Sequence, residues 1–421
     1  MPPAGRIKKD CFNQNLLKKV SALSELTNLR SSVQDSILEH DTKKERNSSI
    51  ELLKIVAMAM IVLFHTVQTL AKGADSGCAI NLGNATGDIQ RLLLAMILYF
   101  GPIGNLVFFT CSAWFLLDSK RSSHQKILRM LGDVWLVSIC ILIIVLIIER
   151  GRIGGALILK QLFPTLFANN WYATCYILFL GTYPFLNRII QQVSQRSLLR
   201  ISLVLFFLYS LCDYFNRFFR HFFETPVFFF TTELIVWVAV YFIIAYMKLY
   251  LPKTSKNVRT NFILFAVGFF GVFGSVLLVN FAGRQIPLLD GMLLVWKTNC
   301  NPFILFMVIG AFNLMRSLSF SSKAINYVSK LTLFIYIIHE NLLLRTLYRP
   351  AMWQYVILKY GDSHFLLLAL CLAAIIFVFA LAASVLYYHT LHKLVVKACA
   401  RLYVILQKIV NRMEKTLLRL S

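Results

Sequence analysis

The chain has 421 residues, of which 58% are hydrophobic and 15% charged, and its formal net charge is +24. A soluble protein of this size could not bury so much apolar surface, so the composition excludes an ordinary soluble globular protein and favours a membrane protein. The basic excess is then explained by the cytoplasmic ends of membrane spans and by anionic headgroups. No RNA- or DNA-binding motif accompanies it, so no nucleic-acid partner is expected.

Ten apolar runs predict ten membrane spans. Backbone groups in lipid are satisfied only by helices or closed barrels, and these runs lack the strict alternation of barrel strands. The sequence therefore predicts an all-α fold, a polytopic transmembrane helical bundle of about ten spans with amphipathic cytoplasmic tails. The predicted spans are 51–71, 95–117, 131–148, 171–187, 200–213, 228–247, 261–281, 300–315, 331–348 and 364–388.

The two tails set the predicted orientation. Residues 1–50 carry 9 Lys and Arg, and the tail from His389 carries 7. An even number of spans puts both tails on one side, which the positive-inside rule makes the cytoplasm. Both tails have apolar residues at near-helical spacing, and the C-terminal one adds a basic stripe. This predicts a helix on anionic headgroups, with a partner-binding helix as the alternative.

The domains follow from this division. Residues 1–48 form a cytoplasmic N-terminal amphipathic segment, residues 49–390 the transmembrane domain, and residues 391–421 a basic interfacial C-terminal helix. The predicted location is the cell membrane, with several spans. The nine cysteines show no CxxC and no Cys/His ligand spacing, so neither a metal site nor a disulfide scaffold is expected.

Two polar side chains stand out in the first apolar run, ELLKIVAMAMIVLFHT (51–66). Lys54 and His65 are eleven residues apart, so both lie on one stripe of a helix, about 16 Å apart along its axis. Glu51 lies close to the same stripe, one turn before Lys54. Ionisable residues within a span usually face a protein interior or a water-filled cavity. The pattern predicts a reaction or transport path across the membrane.

Each of these two residues has a functional and a structural interpretation. Histidine takes and gives a proton near neutral pH, so His65 is a candidate general base; the alternative is a buried histidine bonded to a carbonyl. Lys54 is a candidate cation for a phosphate-bearing donor that enters from the cytoplasm, or a lysine that reaches the headgroups. Their shared stripe favours the functional interpretation.

A second group of ionisable residues lies in SKLTLFIYIIHENLLLRTLY (329–348). His339 and Glu340 are adjacent deep in a predicted span, and their side chains point about 100° apart on a helix, so we expect different neighbours for each. Glu340 could orient a histidine and raise its basicity, or pair with an arginine. Arg345 follows near the outer end. The alternative is a polar clamp between helices.

Three further residues are candidates for substrate binding. Arg129 opens the third span in a basic cluster; it would bind a polyphosphate donor or serve as positive-inside charge. Trp171 and Tyr172 begin the fourth span at the predicted outer interface. They would be belt residues or a platform on which a sugar stacks.

Through these residues and the segments that contain them, the chain resembles the acyltransferase 3 family of integral membrane acyltransferases over most of residues 50–390. The family's first helix has a basic residue, ten residues and then histidine; Lys54 stands where arginine is usual, and His65 matches the histidine. Four later segments resemble family helices in the right order. They are GPIGNLVFFTCSAWFLL, QKILRMLGDVW, NNWYATCYILFLGTYPFLN and LTLFIYIIHEN.

The resemblance implies transfer of an acyl group, commonly acetyl from acetyl-CoA, to a hydroxyl of a cell-surface polysaccharide or lipid-linked sugar. The expected catalytic residues are His65, Lys54, His339 and Glu340. The expected substrate or donor contacts are Glu51, Arg129, Trp171, Tyr172 and Arg345. No bound cofactor is expected, because acyl-CoA is a substrate; the other partners are the glycan acceptor and membrane lipids, with a homo-oligomer left open.

Two alternatives stay open. A glycan exporter without acyl chemistry would also use intramembrane His, Glu and Lys, although the sequence shows no obvious inverted repeat and no Gly/Pro-broken helix pair. A succinyl donor could replace the acetyl donor.

Overall fold

A computed structural model gives the fold of most of the chain. It describes residues 47–72, 89–119, 123–149, 151, 153–223, 233–283, 285–286, 289, 292–361 and 364–420. Apart from residues 47 and 48, the predicted N-terminal amphipathic segment lies outside the described residues. Within the described ranges the chain forms helices and no strand, which confirms the all-α prediction.

The α-helices of the described residues are numbered in chain order. Their bounds are α1 Ser48–Lys72, α2 Ile89–Ile97, α3 Phe100–Leu116, α4 His124–Ile148, α5 Gly155–Leu162, α6 Trp171–Gln192, α7 Gln195–Phe223, α8 Glu233–Tyr250, α9 Val258–Ala282, α10 Pro302–Ser317, α11 Lys323–His339, α12 Arg349–Tyr360, α13 Phe365–Thr390 and α14 His392–Leu420. Thr254–Lys256 and Met292–Leu294 form short 3-10 helices, and Leu344–Tyr348 forms one π-helical turn.

Among the described residues, six stretches of helix are long and apolar enough to cross a membrane: Ser48–Leu70, Ile89–Leu116, His124–Ile148, Gln195–Phe218, Val258–Ala282 and Phe365–Thr390. Leu234–Tyr250 and Pro302–Ser317 are apolar but shorter. Every predicted span contains or overlaps a helix, yet the count of about ten is not confirmed by length and composition.

The predicted span 331–348 is wrong as a continuous helix, because α11 ends at His339 and Glu340 follows it as the capping residue. Irregular backbone at membrane depth is tolerated where protein surrounds it, and Glu340 and Asn341 are buried. The break lies at the two residues that the sequence singled out for chemistry.

A second irregular segment explains why α10 is short. Residues 295 and 298–301 are buried although they are not helical. Asn301 starts α10: its side-chain oxygen accepts from the N–H groups of Phe303 at 2.9 Å and Ile304 at 3.4 Å, and Pro302 needs no such partner. The predicted span 300–315 therefore corresponds to a half-length helix that begins inside the protein.

Helix α1 lies at the centre of the bundle and packs against α3, α11 and α13. Gly104 permits the close approach of α3, because a Cβ there would lie 2.6 Å from Ile61 Cγ1 and 2.9 Å from the Ala57 carbonyl oxygen. Such spacing is available only to glycine. On the polar stripe of α1, His65 is buried and Glu51 and Lys54 are partly buried.

Helices α1 and α11 begin at the same face of the bundle. The Ser48 N–H donates to the Phe320 carbonyl at 2.8 Å, and the Ser322 N–H donates to Ser48 Oγ at 2.7 Å. The two helices pack side by side in the same direction. His65 is 17 residues after Ser48 and His339 is 16 after Lys323, so both lie about 25 Å from that face.

The predicted C-terminal helix is the single helix α14. Its apolar residues Leu394, Leu402, Ile405 and Ile409 are exposed. Its location on headgroups stays a prediction.

Candidate active site

The inner end of the α1 stripe carries a buried cluster of charged and polar groups. His65 is 6% exposed, and its Nδ1 lies 3.1 Å from His339 Nε2 and 3.1 Å from Glu340 Oε2. Helix α1 supplies the first residue, and the last residue of α11 and its cap supply the other two. His339 and Glu340 thus contact the same neighbour, contrary to the prediction, because the helix ends between them.

Glu340 is paired on both oxygens. Arg345 Nη1 lies 3.0 Å from Oε1, and Arg349 Nη2 lies 3.2 Å from Oε2. The Arg349 guanidinium also donates to the His339 carbonyl at 2.5 Å. A buried carboxylate needs such compensation, since an unpaired charge in the interior is strongly destabilising. We call His65, His339, Glu340, Arg345 and Arg349 the histidine–glutamate network.

The hydrogen bonds assign the tautomers when both rings are neutral. His339 Nδ1 lies 2.7 Å from the Ile335 carbonyl, which only accepts, so Nδ1 carries the hydrogen and Nε2 is an acceptor. His65 Nδ1 faces that acceptor and the Glu340 carboxylate, so it also carries a hydrogen, shared between the two. This leaves Nε2 of His65 with a lone pair, the form that a general base requires.

Three residues of the network carry atoms of the kind that ligate metal ions. One ligand atom each from His65, His339 and Glu340 lies within 4.8 Å of the others. However, both Glu340 oxygens already face guanidinium groups, and the nearby nitrogens of the two histidines are joined to each other by a hydrogen bond. A cation would have to displace these contacts and would face two positive charges. The donor set fits proton handling better than metal binding.

Helix α5 and the segment just before α6 contact the backbone and side chains at the break after α11. Gln161 on α5 is fully buried, and its amide nitrogen donates to Asn341 Oδ1 at 2.7 Å. Asn170, just before α6, donates to the Glu340 carbonyl at 3.4 Å. Helix α6 therefore begins beside Glu340, inside the bundle.

A cavity of about 410 Å³ lies at the other end of the stripe. Four cationic residues line it, from three helices: Lys54, Lys126, Arg129 and Lys330. We call it the basic cavity. Lys54 is 22% exposed and pairs with Glu51 Oε2 at 3.2 Å, and the same oxygen accepts from the Ser329 hydroxyl. Clustered ammonium and guanidinium groups on a concave wall favour a ligand with several negative charges.

One layer of aromatic residues separates the basic cavity from the network. Tyr172 and Tyr336 line the cavity, and their rings meet edge to face at 5.9 Å between centroids. The Tyr172 N–H donates to the Tyr336 hydroxyl at 3.3 Å. The Tyr336 ring lies 5.8 Å from the His339 ring on its other side. The Tyr336 side chain thus lies between the wall of the basic cavity and the network.

Comparison with known proteins identifies the family of this chain. A family model described as an acyltransferase domain, of the acyltransferase 3 type, matches residues 47–389. The chain belongs to the acyltransferase 3 family. No curated protein and no solved structure matches it. The resemblance inferred from the sequence is confirmed, and with the six long apolar helices it makes the chain a multi-pass membrane acyltransferase.

The acyltransferase brings together most of the residues that the sequence singled out. His65, His339, Glu340 and Arg345 meet in the network, and Lys54, Arg129 and Tyr172 meet at the basic cavity, with Glu51 against Lys54. Trp171 packs edge to face against Tyr172 at 5.8 Å. Trp171 and Tyr172 are both partly buried at the start of α6, which lies beside Glu340, and their placement in an outer interfacial belt stays a prediction.

Sequence reasoning missed several residues of these sites, among them Arg349, Lys330 and Tyr336. Arg349 is 7% exposed at its side chain and shares Glu340 with Arg345, four residues earlier. The i, i+4 spacing of the two arginines was the available signal, because it puts both on one face of a helix. Lys330 is exposed, and its spacing of seven from Lys323 carries no signal of a cavity.

Proposed function

We propose that this membrane acyltransferase moves an acetyl group from acetyl-CoA onto hydroxyls of a cell-surface polysaccharide or lipid-linked sugar. The observation that carries the proposal is the placement of two different stations on one helix. Lys54 lines a cavity rich in cations, and His65 lies in a buried network with a lone pair on Nε2. Donor binding and proton transfer are the two tasks that O-acylation requires.

The charge of the basic cavity supports a donor of the coenzyme A type. Its phosphates would contact Lys54, Lys126, Arg129 and Lys330, and its flexible arm would pass the Tyr172–Tyr336 layer toward His65. Free acetate or an uncharged donor would not use four cations. Both tails in the cytoplasm would put this cavity on the side where acyl-CoA is made.

The network supports general-base chemistry. Nε2 of His65 would take the proton of the acceptor hydroxyl while its oxygen attacks the thioester carbonyl. The resulting imidazolium would be stabilised by the Glu340 carboxylate, 3.1 Å from its Nδ1. When the carbon–sulfur bond breaks, the thiolate would take the proton back, which yields the ester and free coenzyme A. His339 and the two arginines would act as positioning residues for His65 and Glu340.

The test compares glycan acetylation in cells that express wild-type protein or single variants at matched levels. We expect His65→Ala to abolish acetylation and Lys54→Ala to lower it strongly, whereas Lys54→Arg should retain it because the charge remains. The matched control is His364→Ala, which changes an exposed histidine at the start of α13. Mass spectrometry of the surface glycan provides the measurement.

Four results would contradict the proposal. Wild-type acetylation in His65→Ala would show that His65 is not the general base. An inactive Lys54→Arg beside an active Lys54→Ala would contradict the role of the Lys54 charge. Glycan that bears succinyl groups would show that the donor is a succinyl and not an acetyl donor. Glycan that is unmodified but missing from the surface would favour an exporter.

A further inference from the structure

The basic cavity contains a second carboxylate–histidine pair, separate from the network. Asp133 on α4 is buried, and its Oδ1 accepts from the Tyr387 hydroxyl at 2.7 Å. The same oxygen lies 2.9 Å from His392 Nδ1. A carboxylate only accepts, so His392 Nδ1 carries a hydrogen and its Nε2 is the atom left for another partner. Asp133 and His392 both line the cavity that holds Lys54 and Arg129.

The His392 ring is held in a fixed place. It stacks on Tyr388 with ring centroids 5.4 Å apart, and it meets Phe334 edge to face at 5.1 Å. Its side chain is 22% exposed. An imidazole oriented by a buried carboxylate and packed by two rings loses little conformational freedom when it binds a ligand.

His392 comes from a part of the chain outside the matched family range. That range ends at residue 389, and His392 is the first residue of α14. The start of α14 packs tightly on α4: a Cβ on Gly132 would lie 2.8 Å from Val395 Cγ1, and Cys399 Sγ lies 3.3 Å from the Leu128 carbonyl. The C-terminal helix therefore supplies part of the cavity wall.

We propose that His392, oriented by Asp133, binds a phosphate group of the acyl donor, so that the C-terminal helix is part of the donor site. This rests on the proposed function, in which acetyl-CoA fills the basic cavity. With its Nδ1–H donated to Asp133, a protonated His392 ring would donate its Nε2–H to a phosphate oxygen. The bond is directional, unlike the point charges of the three lysines, and would fix the orientation of the phosphate.

The experiment uses the purified full chain in lipid nanodiscs. The KM for acetyl-CoA is compared with the KM for acetyl-pantetheine, which keeps the thioester but has no phosphate. We expect His392→Ala to raise the acetyl-CoA KM about tenfold more than the acetyl-pantetheine KM, since a charge-assisted hydrogen bond is lost. His392→Arg should restore most of the preference, and Asp133→Asn should reproduce part of the loss.

The control is His389→Ala, which removes a histidine one turn earlier that bonds to the Tyr327 hydroxyl. It should leave both KM values unchanged. If His392 were merely structural, its loss would raise both KM values alike. The inference would be overturned if the ratio of the acetyl-CoA KM to the acetyl-pantetheine KM were the same in wild type and His392→Ala. Should the alanine variant fail to fold, His392→Gln takes its place in this comparison. Wild-type protein that does not use acetyl-CoA at all would instead contradict the proposed function.

Discussion

The two ends of helix α1 differ in how their charged side chains are compensated. Around His65, each ionisable group is matched within the protein: one carboxylate faces two guanidinium groups and an imidazole. Around Lys54, four cationic side chains line a cavity with Asp133, and Glu51 pairs with Lys54, so cations outnumber carboxylates there. The matched end holds a protonation pattern in place. The excess positive charge of the unmatched end favours an anionic ligand, which is what a donor site requires.

The largest effect is expected where the matched end loses its charge. Glu340→Gln should lower the acyl-transfer rate about a hundredfold or more, because the imidazolium of His65 loses its stabilising carboxylate. The purified variant would be assayed with acetyl-CoA. Asp118→Asn, which neutralises an exposed carboxylate paired with Lys248, is the control and should keep wild-type activity. A Glu340→Gln rate within a few-fold of wild type would mean that the matched charges serve only stability.

A smaller effect should separate the two arginines on Glu340. Arg349→Met should destabilise the protein by about 3–5 kcal/mol, because it removes the buried partner of Glu340 and the donor to the His339 carbonyl. Arg345→Met should cost less, since its side chain is 31% exposed and solvent screens its pair. Thermal unfolding of the detergent-purified variants measures both. Equal losses would show that burial does not decide the strength of these pairs.

The smallest effect is expected at the unmatched end. Lys330→Gln should raise the KM for acetyl-CoA only about two- to threefold, because an exposed cation in an open cavity is screened by solvent and salt. The difference from wild type should shrink as salt is raised. Lys323→Gln, two turns earlier on α11 and outside the cavity wall, is the matched control. A salt-independent effect would indicate that Lys330 makes a buried contact.

Local patterns in the sequence predicted the parts of the site that one helix determines. The Lys54–His65 stripe needs only helical geometry, and it correctly indicated a cavity residue and a buried residue. Arg129 was placed with Lys54 because basic starts of spans gather at one face. The pairing of Glu340 with a histidine and with an arginine followed from its burial.

What the sequence could not predict depends on backbone breaks and on distant packing. The end of α11 at His339 brings two adjacent residues to one histidine. Neither Gly nor Pro marks the break, and its local signal is Asn341, whose side-chain oxygen accepts from the Leu343 N–H at 3.0 Å. The irregular backbone before α6 brings Asn170 to the Glu340 carbonyl, a contact that no local pattern predicts. His392 reaches Asp133 across 259 positions of sequence, a distance that only tertiary packing bridges.

The Tyr172–Tyr336 layer also has a consequence for side reactions. A thioester next to a general base is open to attack by water as well as by a sugar hydroxyl, and hydrolysis would waste the donor without modifying any glycan. The Tyr336 ring lies between the cavity wall and the His339 ring and packs against Tyr172, so the two rings are expected to limit the water that can follow the donor inward. Under the proposed function, the preference for a sugar hydroxyl over water would then depend on two tyrosines that take no part in the proton transfer.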